Sequence, residues 1–142
     1  MSGDIEGYAS IFAVPDREND IVRAGAFRRS LAERPIVPML VSHDQRLIAG
    51  EWFDLKEDSR GLFVRGRIDL RQRGAAQAAR FLARGIDGLS IGFTARRSRR
   101  RADGGRDLIE IALWEVSIVP EPMAPQARLT RVGWSGALMQ AL

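Results

Sequence analysis

Gly88-Leu89-Ser90-Ile91-Gly92-Phe93 lies at the start of a strand-like run, residues 89–95, just after a helix-like run over residues 74–84. Strand residues two apart share a face, so Gly88 and Gly92 clear the side-chain space on either side of the Ser90 hydroxyl. Glycine inside a strand often marks close approach by a ligand or another backbone. A simpler reading competes with it: a barrel strand with glycine kinks, its hydroxyl bonded to a neighbour.

The stretches on either side extend the pattern. In residues 74–84, Ala75, Ala78, Ala79 and Leu82 recur at helical spacing, and Gly85 is placed to cap the C-terminus. Downstream, the arginine-rich residues 96–101, Asp103-Gly104-Gly105 and Arg106 read as a hairpin tip, followed by a long strand over residues 108–119 that is stopped by Pro120, Pro122 and Pro125. Upstream, residues 5–14, 36–43, 47–55 and 62–70 read as strands. Asp44-Gln45-Arg46 reads as the turn between the second and third of these, and Gly66 as a candidate bulge. Residues 24–33 carry a helical stripe that ends before Pro35. Ile21-Val22 is too short to assign.

Strands predominate and the helices do not alternate with them, which argues against a doubly wound parallel sheet. The expected fold class is α+β, mainly β: a small, mostly antiparallel barrel or sheet with helices packed on it. The expected division is a single domain over residues 1–127 and a tail, residues 128–142, that is a short helix or partly disordered.

Composition narrows the chemistry. The 142 residues are 45% hydrophobic and 28% charged, ordinary for a globular chain. There is no cysteine, so disulfides, thiolate catalysis and cysteine-based metal sites are excluded. The one histidine, His43, rules out a metal site built from several imidazoles. No cofactor and no metal is expected. The polar, acidic residues 1–8 hold no apolar signal region, and no apolar run approaches the ~18 residues of a membrane span. The expectation is a soluble intracellular domain with no membrane partner.

The net charge of +4 rests on arginine, with Lys56 the single lysine. A basic balance is compatible with nucleic acid or with an acidic protein surface. No aromatic residue interleaves the arginines of residues 96–101, so the stacking platform of single-strand binders is missing and a solvated basic loop is favoured.

A serine nucleophile needs a base, and the base needs an orienting partner. His43 is the available imidazole. Ser42 adjoins it and would point to the opposite face of a strand. Ser30 lies on a helix stripe, Ser59 and Ser98 lie in charged stretches, and Ser2 and Ser135 lie near the termini. Ser10 and Ser117 lack the glycine clearance. Ser90 remains.

For the third group, Glu115 stands isolated in the apolar run Leu113-Trp114-Glu115-Val116-Ser117-Ile118-Val119, where an unpaired charge is costly. A hairpin with Ala102 opposite Gly105 places Ser90 opposite Ser117, with Glu115 two residues along on the same face. Asp44 is the competing carboxylate, and its simpler role is as a turn residue.

Taken in order, Gly25-Ala26-Phe27 before a helix, His43-Asp44, Gly88-Leu89-Ser90-Ile91-Gly92-Phe93, Trp114-Glu115-Val116-Ser117-Ile118-Val119 with Pro120, and Pro125-Gln126-Ala127 resemble the prohead (capsid maturation) proteases of tailed bacteriophages, which also occur in gene transfer agents. The resemblance runs from about Gly7 to Ala127. It implies a herpesvirus-assemblin-like fold, a small antiparallel barrel surrounded by helices. It implies a serine endopeptidase that cleaves scaffold, or the N-terminal scaffolding segment of the major capsid protein, inside the procapsid in the bacterial cytoplasm. Ser90 is then the nucleophile and His43 the general base. The herpesvirus relatives use a second histidine as third member, and this chain has none, so Glu115 takes that role from position and chemistry. The oxyanion hole is not placed by the sequence; backbone amides in the loop after Val119 are candidate donors.

The expected partners are capsid and scaffold proteins as substrates, with room for a homo-oligomer and no nucleic acid. Two other classes stand beside the protease: a non-catalytic capsid-assembly factor that docks through its basic loop, and a nucleic-acid-binding barrel.

Overall fold

The computed structural model describes residues 4–133. Eight strands and two helices follow one another: β1 (Asp4–Ile11), β2 (Asp20–Val22), α1 (Arg28–Glu33), β3 (Val37–Val41), β4 (Asp44–Glu57), β5 (Gly61–Ile68), α2 (Ala75–Ala83), β6 (Gly88–Arg100), β7 (Arg106–Val119) and β8 (Leu129–Val132). They form one sheet in the order β2-β7-β3-β4-β5-β1-β8, with β6 on β7. The fold is strand-rich α+β, as the patterning predicts.

Barrel closure is corrected. No continuous ladder joins β8 back to β6. An isolated bridge, Gly88 to Arg128, and the bonds around it stand there, so the sheet is not closed into a barrel. The sheet is also not wholly antiparallel, because both β2 and β3 run parallel to β7.

Trp52, Phe27, Ile5, Met39, Leu62 and Leu89 are among the fully buried side chains of the core. Trp52 can be buried with a polar ring nitrogen because its Nε1–H donates to the Val116 carbonyl at 3.0 Å. α2 packs Ala75, Ala78 and Ala79 inward, and Gly85 closes it at φ +80°, a conformation glycine takes without steric cost.

Other boundaries differ from their predicted places for local reasons. α1 begins later than its stripe suggests, because the Glu57 carboxylate of β4 accepts the Gly25 N–H (2.7 Å) and the Phe27 N–H (2.8 Å), holding those residues in turns. The bulge expected at Gly66 lies on the facing strand, where Phe53 is the extra residue between Trp52 and Asp54. The start of the predicted tail is β8, paired with β1. Residues 134–142 of that tail lie outside the described residues. Among the described residues, no helix is long and apolar enough to cross a membrane.

The β3–β4 turn is a correction with consequences. Val41 pairs with Asp44, so the chain reverses at Ser42-His43, and Asp44 already belongs to β4. Both turn residues have positive φ, 51° and 60°, the pattern of a two-residue type I′ hairpin.

Candidate active site

The site forms around β7. On one side β6 pairs antiparallel with it, Ser90 opposite Ser117 and Gly92 opposite Glu115. On its other side β3 runs parallel, Leu40 opposite Ser117 and Val41 opposite Ile118. Adjacent strands lie about 4.8 Å apart, so Ser90 and the β3–β4 turn sit roughly 10 Å apart across β7, a gap that side chains can close.

His43 reaches this place through an unfavourable turn. A left-handed conformation costs an L-residue about 1–2 kcal/mol, and such turns usually carry Asn-Gly. Here Ser42 and His43 hold it, helped by two bonds to β7: Ser42 N–H to the Ile118 carbonyl (3.0 Å) and His43 N–H to Ser117 Oγ (2.9 Å).

Glu115 links the side chains. Its Oε2 lies 2.5 Å from His43 Nδ1, and its Oε1 accepts the Ser117 hydroxyl at 2.9 Å. The carboxylate is largely buried, 12% exposed, while the His43 side chain is 44% exposed. An ideal Cβ on Gly92 would stand 2.3 Å from Glu115 Oε2. The glycine beyond Ser90 therefore makes room for the carboxylate.

The hydrogen bond from His43 to Glu115 raises the imidazole pKa above its ordinary 6.5. Partial burial opposes the shift and the carboxylate's charge adds to it. With Nδ1 engaged by Glu115, Nε2 is the ring nitrogen free to exchange a proton with a reacting group. Asp44 does not take part: Arg46 grips it through Nε (3.1 Å) and Nη2 (3.0 Å) and holds its carboxyl below the usual range.

Ser90 is 8% exposed, and among the described residues its hydroxyl has no hydrogen-bond partner. It lines a cavity of about 130 Å³ together with His43. Met123 and Ala124, from the loop after Val119, line it too. Ser30, set aside in the sequence, accepts the Leu113 N–H at 2.8 Å.

Ser117, also set aside, is fully buried and ties the His43 backbone to the Glu115 carboxylate. The strand register that pairs it with Ser90 was the signal for it. Arg101, at the base of the predicted basic loop, is no solvated charge: its Nη2 donates to Asn19 O (2.9 Å) and Oδ1 (2.7 Å), and its Nη1 faces Asp107 at 3.3 Å.

One protein family, one sequence relative and several solved structures resemble this chain. The profile of the caudovirus prohead serine proteases matches residues 1–140. The prohead protease of Enterobacteria phage HK97 is 37% identical over 130 residues, 88% of this chain and 58% of that protein, so the chain spans a little over half the length of that relative. Among solved structures, the capsid assembly protease of bacteriophage T4 superposes with a TM-score of 0.67 at 17% identity, over 84% of this chain and 82% of that one. Varicella-zoster virus protease superposes with a TM-score of 0.61 at 15% identity, over 98% and 73%. The two solved structures show a shared fold, and the profile match covers nearly the whole sequence. This chain belongs to the caudovirus prohead serine protease family.

Proposed function

We propose that the protein is a serine endopeptidase of procapsid maturation in a phage or gene transfer agent. It acts inside the assembling procapsid in the bacterial host cytoplasm, on scaffold or on the N-terminal scaffolding segment of the major capsid protein. Ser90 is the nucleophile, His43 the general base and Glu115 the orienting carboxylate. The observation that carries this reading is the Glu115–His43 bond beside a cavity that His43 shares with the unpartnered Ser90 hydroxyl.

In the first step His43 Nε2 takes the Ser90 proton as Oγ attacks the scissile carbonyl carbon. The imidazolium, stabilised by Glu115, then protonates the leaving amine, and an acyl-enzyme remains. Water attacks the ester with His43 again as base, releasing the carboxylate product and restoring the Ser90 hydroxyl. Such hydrogen bonds commonly tighten only when substrate binds. Glu115 fixes the tautomer, and Ser117 and Gly92 fix Glu115.

Co-expression with the major capsid protein, followed by mass measurement, tests the proposal. An N-terminal truncation of the capsid protein should appear and should be lost in Ser90→Ala and in His43→Ala, each lowering the rate by about 10^4–10^6-fold. Truncation that persists in Ser90→Ala removes Ser90 as nucleophile. Exposed Arg99 and Arg100 at the β6 end favour a second reading, a non-catalytic assembly factor docking through basic charge. That reading requires normal particle maturation in both variants.

A further inference from the structure

The cavity shared by Ser90 and His43 is asymmetric in charge. Val14, Leu89, Phe93 and Leu108 contribute apolar wall, while Asp16, Glu18 and Asp20 stand on the β1–β2 side. In a chain of net charge +4, the described residues that line it include no lysine or arginine.

The three carboxylates are not equally satisfied. Asp20, 4% exposed, is held by Arg106 through Nε (3.0 Å) and Nη2 (2.8 Å). Asp16 spends Oδ1 on the N–H groups of Glu18 (2.8 Å) and Asp20 (3.0 Å). Among the described residues, the Glu18 carboxylate has no hydrogen bond or ion pair. Arg17, between them in sequence, is directed instead to Glu121 at 3.5 Å. Arg106 senses all three carboxylates but is one cation against three, so negative charge remains in excess.

Two buried hydroxyls face the same space. Ser90 (8% exposed) and Ser10 (5% exposed) both line it, and neither side chain has a partner among the described residues. A cavity of about 150 Å³ holds one benzene ring, so about 130 Å³ is room for one side chain.

We propose that this cavity is a specificity pocket for a lysine or arginine of the cleaved polypeptide, next to the bond that Ser90 attacks. The aliphatic stem lies along Leu89 and Leu108, and the cationic head meets Glu18 and Asp16, the arrangement long basic side chains adopt at apolar surfaces with a charged edge. The low-dielectric wall strengthens the attraction relative to water. This pocket assignment rests on Ser90 being the nucleophile.

The test uses the full chain and acetylated octapeptide mixtures with one position fixed as Lys, Arg, norleucine or Glu and the others randomised. New termini, read by mass spectrometry, should fall beside Lys or Arg, with kcat/KM for the Lys mixture about tenfold above norleucine. In the Asp16→Asn/Glu18→Gln double variant, where Asn keeps the Oδ1 acceptor of the loop, that ratio should fall to about two or less, and Glu18→Lys should turn the preference towards Glu. Equal cleavage of Lys and norleucine mixtures by the wild-type chain overturns the pocket and leaves the hydrolase. A second arm measures retention of the same mixtures by the uncut Ser90→Ala chain. Equal retention of Lys and norleucine overturns the pocket whether or not bonds are cut. Preferential Lys retention without cleavage by the wild-type chain leaves a cavity that binds basic side chains but overturns its role as a specificity pocket beside a bond that Ser90 attacks.

Discussion

Glu115 raises the His43 pKa, and the sign of the shift decides the pH dependence. On the proposed mechanism His43 is the general base and must be neutral, so kcat/KM should rise with pH through a midpoint above 6.5, the ordinary value for an imidazole. In Glu115→Gln the midpoint should move to lower pH while kcat falls by about 10^4-fold, because the amide no longer holds the right tautomer. For stability, a raised pKa in the folded state adds a contribution present in full below about 6.5 and lost as pH climbs through the folded value. Glu115→Gln should therefore lose more stability at pH 5 than at pH 9, as measured by urea unfolding.

Gly92→Ala is a separate test at this scale. A methyl 2.3 Å from Glu115 Oε2 must displace the carboxylate. The expected result is a kcat lower by about 10–100-fold with the fold retained, and an imidazole pKa, read by NMR, shifted back towards 6.5. Composition and neighbours singled out Ser90, His43 and Glu115 as candidates, and the fold brings His43 against Glu115 and lines one cavity with Ser90 and His43. Strand register paired Ser117 with Ser90, but the bond its Oγ accepts from the His43 N–H was not legible, because it exists only where β3 lies beside β7.

Among the elements, the β3–β4 hairpin determines where the imidazole sits. Nothing in the residue types of Ser42-His43 marks a type I′ turn, and the polar Asp44-Gln45-Arg46 was the more natural place for one. Three-dimensional pairing prevailed: Val41 pairs with Asp44, and the left-handed conformation of the two residues between them matches the right-handed twist of the strands they join. Ser42 is exposed, and asparagine tolerates this conformation better than serine. Ser42→Asn should raise stability by about 0.5–1 kcal/mol in urea denaturation with activity kept. The β6–β7 hairpin behaves differently: its register slips three times, between Gly92/Phe93, Ala95/Arg97 and Arg97/Ser98, and the net slip of one residue makes up for a tip that closes one step out of the predicted register, so Ser90 still faces Ser117. Hairpin alternation reached the right pair although the tip closes with Arg100 opposite Arg106, one step away from the predicted pairing of Ala102 with Gly105.

At the scale of the molecule, the segment expected to be a tail contributes to the sheet. Leu129 is 7% exposed, its N–H bonds to the Asp87 carbonyl at 2.8 Å, and the Gly133 N–H bonds to the Asp4 carbonyl at 2.7 Å. A chain ending at Ala127 should lose ~2–4 kcal/mol and melt roughly 10 °C lower, as followed by calorimetry. Unchanged melting would mean that β8 is peripheral to the fold. Period-two alternation and glycine and proline punctuation were enough to predict a strand-rich α+β chain, because those signals are local and one face of each strand must be buried. The same local signals also marked out one imidazole, one cleared serine and one isolated carboxylate. Whether the sheet closes, which strands run parallel and where the imidazole turns were settled only in three dimensions. Each depends on hydrogen bonds between residues far apart in the chain, and a strand's own sequence does not encode which edge it will meet.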